Sequence, residues 1–192
     1  MSPFPSKYLT VGGDDPFLPS LLAAINHADQ ISITSAFVRL TGLELIVDAL
    51  IDALDRGADV RILTGDYLGI TDPHALRYLM LLKEEKADVR VFESGGLQSF
   101  HMKAYVFYTK DDEGIEEGCA FIGSSNLTRS ALAHGLEWNL RVDYAENEAR
   151  FFNICEEFDR LFNDPRCKEL MARFISERPD IWYEDIAGRE NV

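Results

Sequence analysis

Three observations predict an α/β protein with a mixed, largely parallel central sheet sandwiched between helices. From residue 31 to 94 the chain alternates β-branched runs with amphipathic helical ones, and the connections between them are short. From residue 99 onward the rhythm changes to strands with little room for helices between them, so this half is expected to be partly antiparallel.

The elements follow in order. Asp15-Pro16 has the form of a helix cap with proline at the first helical position, opening "PFLPSLLAAINHAD". "ISITSAF" alternates as a strand. Thr41 is placed to cap "GLELIVDALIDALDRG", where Ile46, Leu50, Ala53 and Leu54 recur at helical spacing and Gly57 ends the helix. "ADVRILTGD" is the second strand and Asp72-Pro73 opens a third helix, "PHALRYLMLLKEEK". The strand "ADVRVFES" completes a β-α-β-α-β series, in which ligands gather at the carboxyl ends of the strands. "SFHMKAYVFY", "GCAFIGSS" and "LEWNLRVDY" are the later strands. "AENEARFFNICEEFDRLF" is a helix with an apolar stripe of Phe151, Cys155, Phe158 and Phe162, and a further helix is expected after Asp164-Pro165.

With 192 residues, 46% of them hydrophobic, the chain suffices for one domain spanning 1–192, with its core at about 15–176. The N-terminus lacks the basic and apolar regions of a secretory signal, and no apolar run reaches the length of a membrane span. Cys119, Cys155 and Cys167 show no metal-ligand spacing and read as reduced core thiols, which fits a cytoplasmic protein. The net charge is −14, from 33 acidic against 19 basic residues, which argues against a protein that coats nucleic acid nonspecifically. It does not exclude a local positive site, because the acids cluster in "DDEGIEE" and after position 146.

The sheet carries three unusual polar segments. In "SFHMKAYVFY" alternation sends His101, Lys103, Tyr105 and Phe107 to one face and Phe100, Met102, Ala104, Val106 and Tyr108 to the other. A lysine beside a histidine on an apolar strand is costly unless an anion sits between them. Where the next strand ends, Ser124 and Asn126 of Gly123-Ser124-Ser125-Asn126 share a side. On "LEWNLRVDY", Glu137 lies on the polar face. If these groups meet at a phosphate, Lys103 neutralises its oxygens while Ser124 and Asn126 add neutral donors. His101 can attack phosphorus, with Glu137 the available carboxylate to orient its ring. Such a site calls for no metal and no cofactor, since side chains supply the cations, and no cluster of acids and histidines at ligand spacing surrounds it. Taken singly, each segment also has a plain reading: a core histidine with a snorkelling lysine, turn residues at a strand end, and a solvated acidic face.

Together, "HMK…GSSN…E" resembles the phospholipase D superfamily, whose motif is His-x-Lys, four residues, Asp, six residues, then Gly-Gly/Ser-x-Asn. His101, Lys103, Gly123, Ser124 and Asn126 match it, and Glu137 follows Asn126 at the spacing of the nuclease branch. The wider wording resembles the nuclease-like domain at the head of some superfamily 2 helicases and restriction-type proteins, over roughly residues 15 to 160. The resemblance implies a phosphodiesterase acting through a phosphohistidine on DNA, with RNA as the alternative substrate, in a helicase-linked restriction or defence system. The helicase would be a partner or a region outside this sequence. Members need two motifs per active site, so a chain with one motif implies a homodimer that shares its active site.

Two departures stand out. Tyr108 occupies the position of the motif's aspartate, which by parity points away from His101 and Lys103. Eight extra residues precede Gly123, inside the acidic "TKDDEGIEEG", and suggest a longer hairpin loop. Two rival readings remain: a catalytically silent dimerisation or DNA-docking module, motivated by Tyr108, and a phospholipid phosphodiesterase. The latter lacks an amphipathic membrane-binding helix with a basic face.

Overall fold

The computed structural model describes residues 8–66, 71–94 and 99–171. Its strands are β1 (Leu9–Thr10), β2 (Gln30–Ser35), β3 (Asp59–Gly65), β4 (Asp88–Phe92), β5 (Lys103–Asp111), β6 (Gly114–Gly123), β7 (Asn139–Asp143) and β8 (Cys167–Glu169). The helices are α1 (Leu18–His27), α2 (Leu40–Leu43), α3 (Val47–Asp55), α4 (Pro73–Glu84) and α5 (Glu148–Phe162), with a π-helical turn at Ser130–His134. The strands form one mixed sheet in the order β1-β7-β6-β5-β2-β3-β4-β8.

The expected α/β sandwich is present, but parallel pairing is confined to β2–β3 and β3–β4. Every other pairing is antiparallel, so the sheet is less parallel than the sequence suggests. The difference arises in the middle, where β5 pairs antiparallel with β2, and at the two edges, where short β1 and β8 add antiparallel strands that carry no periodic signal of their own. β8 stands where a helix was expected after Asp164-Pro165: Cys167 pairs with Phe92, and the Leu170 amide donates to the Val89 carbonyl. Sheet hydrogen bonds to an open edge outweigh the local helical pattern here. The end of the expected core, from residue 172, lies outside the described residues.

One face of the sheet carries α1, α3 and α4. Leu21, Ile25, Leu50, Leu76 and Leu79 pack there against Ile31, Ile33, Val60, Ile62, Tyr105 and Phe107. The other face is crossed by α5, whose Phe158 and Phe162 meet Leu63, Phe92 and Phe100, while Phe151 meets Val106 and Ala120. Arg61 crosses this layer, donating to Ser32 and Asp159 with its guanidinium 4.9 Å from the Phe158 ring.

Local rules set several boundaries. Asp72 caps α4 as expected, its carboxylate accepting from the His74 amide, with Pro73 in the first turn. Gly57, at φ +88°, ends α3, and the Ala58 amide reaches back to the Ala53 carbonyl. Asp15 does not cap α1. The helix starts two residues later behind Phe17, and an Asp15 oxygen accepts from the Val11 amide instead. The long helix expected after Thr41 is broken. Thr41 lies inside α2, tight turns from Leu45 to Gly42 and from Ile46 to Leu43 follow, and α3 begins only at Val47. The residues inserted before Gly123 do not form a long loop. β5 and β6 continue to the pair Asp111↔Gly114, with an irregularity at Thr109/Lys110, and Asp111 Oδ1 accepts from the amides of Glu113 and Gly114 to close the turn.

Candidate active site

β2 and β6 end where β5 and β7 begin, so the topology delivers four chain segments to one end of the sheet. This is also the carboxyl end of the parallel strands β3 and β4, where open α/β sheets collect ligands. His101 stands just ahead of β5, exposed, and Lys103 is the first residue of the strand and only 7% exposed. Phe100 fixes the segment from behind: its buried ring stacks on Phe92 at 5.1 Å and lies against Gly65, where a Cβ would come within 2.6 Å of it. The Ala36 amide then holds the Met102 carbonyl at 2.9 Å.

Within the site, Lys103 Nζ lies 2.8 Å from His101 Nδ1 and 3.3 Å from Nε2, and donates to the His101 carbonyl at 3.0 Å. The Phe37 ring meets the His101 ring edge-on at 5.5 Å and carries the Lys103 ammonium 5.8 Å from its centre. Burial lowers the Lys103 pKa from 10.5, and the Glu137 carboxylate opposes that shift. The two residues are therefore electrostatic neighbours.

Asn126 is joined to this group through its acceptor, which takes the Phe37 amide at 3.1 Å. Its NH2 makes no hydrogen bond among the described residues. Ser35, fully buried at the end of β2, bridges the same elements by donating to the Phe37 carbonyl and accepting from the Leu127 amide. Tyr105 OH donates to the Ser125 carbonyl at 2.8 Å, and burial pushes the phenol's pKa upward. Ser125 and Asn139 are likewise internal, with Asn139 Nδ2 donating to Ser125 Oγ at 2.9 Å.

In this structure the Glu137 carboxylate is bonded to Ser124, with no hydrogen bond to the His101 ring among the described residues. It accepts a short hydrogen bond from Ser124 Oγ, and the same hydroxyl accepts from the Trp138 amide at 3.1 Å. The ring nitrogens of His101 face Lys103 instead. The site thus brings together His101, Lys103 and Asn126 around Phe37, with Ser124 and Glu137 bonded to each other beside them. Tyr108 lies on the far face, its ring edge-on to Phe151 at 6.3 Å, as parity requires.

Sequence reasoning missed Phe37, Ser35 and Phe100. Ser35 did leave a signal: "ISITS" repeats hydroxyl residues along a strand expected in the sheet, where a polar side chain has to find partners. Asp66 is loop chemistry, its carboxylate accepting from the Ser94 amide. Among the described residues no group of three His, Cys, Asp or Glu side chains is placed to hold a metal ion, and no helix is long and apolar enough to cross a membrane. Cys119, Cys155 and Cys167 are free thiols.

Residues 21–164 match the family described as cardiolipin synthase, PLD-like domain. Comparison with curated protein sequences found no match. Among solved structures, the phospholipase D family member Nuc from Salmonella typhimurium superposes with a TM-score of 0.62 at 19% identity, over 84% of this chain and 95% of that one. NucT from Helicobacter pylori gives 0.54 at 16% identity, over 79% and 89%. TrmBL2, an archaeal chromatin protein, gives 0.53 at 17% identity, over 86% and 55%. These likenesses establish a shared fold, and with a family match spanning well over half of its length, the chain belongs to the phospholipase D-like family.

Proposed function

We propose that this protein is a phosphodiesterase that cuts DNA through a phosphohistidine, using side-chain cations in place of a metal. The observation that carries the reading is the buried Lys103 ammonium set against the His101 ring, with Asn126 tied through its Oδ1 to the amide of Phe37, whose ring packs on that histidine. A cation held out of water beside a nucleophile is preorganised for an anion. A phosphate oxygen arriving there draws the ammonium off the histidine and frees the ring nitrogen to attack.

In the first step a His101 ring nitrogen bonds to phosphorus and the P–O bond to the leaving strand breaks. Lys103 and Asn126 neutralise the non-bridging oxygens. The leaving oxygen needs a proton, and the chain carries only one such motif. The proton comes from the equivalent histidine of a second copy, making the homodimer the functional unit. That histidine then takes a proton from water, whose oxygen attacks phosphorus as the P–N bond breaks, regenerating both rings. Glu137 and Ser124 buttress the pocket, and the Glu137 charge holds Lys103 protonated. The exposed Leu136, Trp138 and Leu140 beside Glu137 supply an apolar face for the second copy, at 86%, 70% and 53% exposure.

DNA as substrate is supported by Nuc and NucT, and by TrmBL2, described as showing a novel mode of DNA binding. The acidic net charge fits delivery of the strand by a helicase partner rather than free capture. The decisive experiment is hydrolysis of labelled DNA and bis-(4-nitrophenyl) phosphate in excess EDTA, for the wild type and His101→Ala. Activity that resists EDTA and disappears in the variant is expected; activity abolished by EDTA would overturn the mechanism.

A further inference from the structure

A cavity of about 440 Å³ opens beside His101 on the α5 side of the sheet. Its walls are Ala104, Val106 and Ile122 from β5 and β6, and Ile154, Phe158 and Leu161 from α5. Thr34 lies in its lining and is 2% exposed, with no hydrogen-bond partner for Oγ1 among the described residues. Because Ile31 and Ile33 face the α1–α3–α4 core, alternation turns Thr34 toward this cavity. A buried hydroxyl left without a partner in the wall of an apolar chamber gains a hydrogen bond from a ligand that fills the chamber, once a rotation about its Cα–Cβ bond turns the oxygen inward.

The chamber begins at the reacting centre. Thr34 pairs with Ala104, three residues along the chain from His101, a distance of about 10 Å in extended backbone. That is the reach from a backbone phosphate to the far edge of its own base. The volume falls within the roughly 300–1,000 Å³ of small-molecule sites. The walls are apolar and include the Phe158 ring, while Asn153 and the Glu157–Arg160 pair stand at the rim. A flat group with apolar faces and a hydrogen-bonding edge matches this inventory. An acyl chain would leave Thr34 unpaired.

We propose that the cavity between α5 and β2, β5 and β6 receives a nucleobase of the bound strand, its polar edge toward Thr34 and its phosphodiester at His101. The inference rests on the DNA phosphodiesterase reading and narrows it. A base can enter only after leaving its stack, so single strands and unpaired ends are preferred to continuous duplex.

The test is binding of a short single-stranded oligonucleotide carrying 2-aminopurine, compared with the same strand made abasic at that position, using full-length His101→Ala to prevent turnover. The intact strand is expected to bind at least tenfold more tightly than the abasic one. Ala104→Leu, which fills the chamber, should erase that difference, and Thr34→Val should alter the preference among the four bases several-fold. Circular dichroism melts show whether each variant is folded. Equal binding of intact and abasic strands, or a preference untouched by folded Ala104→Leu, would overturn the proposal. So would a loss of dimer mass in Ala104→Leu, which would assign the chamber to a contact between copies. A base preference without any DNA cleavage by the wild type would sink the enzymatic reading and leave the pocket standing. Equal cleavage of intact and abasic strands would do the reverse.

Discussion

Lys103 Nζ stands 2.8 Å from Nδ1 of His101 and 3.0 Å from the carbonyl oxygen of the same residue, so the ammonium spends its donors on its immediate neighbour. It does so while almost excluded from water, which is why its pKa is lowered.

This pairing costs stability. The unfolded chain keeps the Lys103 proton up to about its ordinary 10.5, whereas the folded chain releases it at lower pH. Between those two values the unfolded state holds more protons, so stability rises with pH across the window, and the full cost is present below it. Lys103→Met removes the cost. At neutral pH the variant should be more stable than the wild type, with the advantage shrinking as pH approaches 10.5. Its phosphodiesterase rate should fall by about 100-fold or more. Calorimetry across pH and hydrolysis of DNA in EDTA check the two halves separately.

Asn126 separates an acceptor role from a donor role. Oδ1 fixes the Phe37 amide at 3.1 Å, and the NH2 makes no hydrogen bond among the described residues. Asn126→Asp keeps the acceptor, so the fold should survive with a midpoint within a few degrees of the wild type. It replaces a donor with a negative charge where the proposed mechanism seats a phosphate, and the rate should drop by about 100-fold or more. Thermal melts together with initial rates test this; an active Asn126→Asp would remove the residue from the phosphate site.

Much of this site was legible because its parts are local. His101 and Lys103 stand two residues apart on a strand whose alternation is clear, and the same parity places Tyr108 on the opposite face. Asp72 and Gly57 act within one helical turn, so their roles also read directly. What escaped depends on distant partners. Phe37 acquires its function from residues 64 and 89 positions away, and β8 exists only because β4 offers an edge. The extra residues before Gly123 form strand because each finds a partner across the hairpin, a register that composition alone does not reveal.

The tyrosine at the motif's aspartate position is a packing residue. Tyr108 is half-buried against Phe151, and burial raises its pKa. Tyr108→Asp restores the family pattern but puts a carboxylate among Phe151, Ile154 and Cys155 with the ring contact gone. The variant should lose about 2–4 kcal/mol of stability and gain no activity. Denaturant melts and rates decide; a faster, equally stable variant would show that the aspartate has a catalytic use here.

Gly42 ties the broken helix to the site. It sits in α2 with its Cα against the chain at Leu127, and a Cβ there would lie 2.4 Å from both the Leu127 carbonyl carbon and its oxygen. Backbone cannot yield as a flexible side chain does. The same segment is held by the Arg39 amide on the Leu127 carbonyl at 2.9 Å, and Asn126 is the residue before it. Gly42→Ala must push the 126–128 backbone outward, lengthening the hydrogen bond from the Phe37 amide to Asn126 Oδ1. Alanine elsewhere in a helix is favourable to glycine by up to about 1 kcal/mol, so a gain would be expected from propensity alone. The expected result has the opposite sign: a loss of about 2–3 kcal/mol with a fall in rate at least tenfold. Gly57→Ala is the control. Nothing lies within 4 Å of its added Cβ, and at φ +88° the substitution costs backbone strain of about 1–2 kcal/mol without touching the site. If both variants lose stability but only Gly42→Ala loses activity, the contact between α2 and Leu127 positions Asn126. Equal rates in the two would detach α2 from the chemistry.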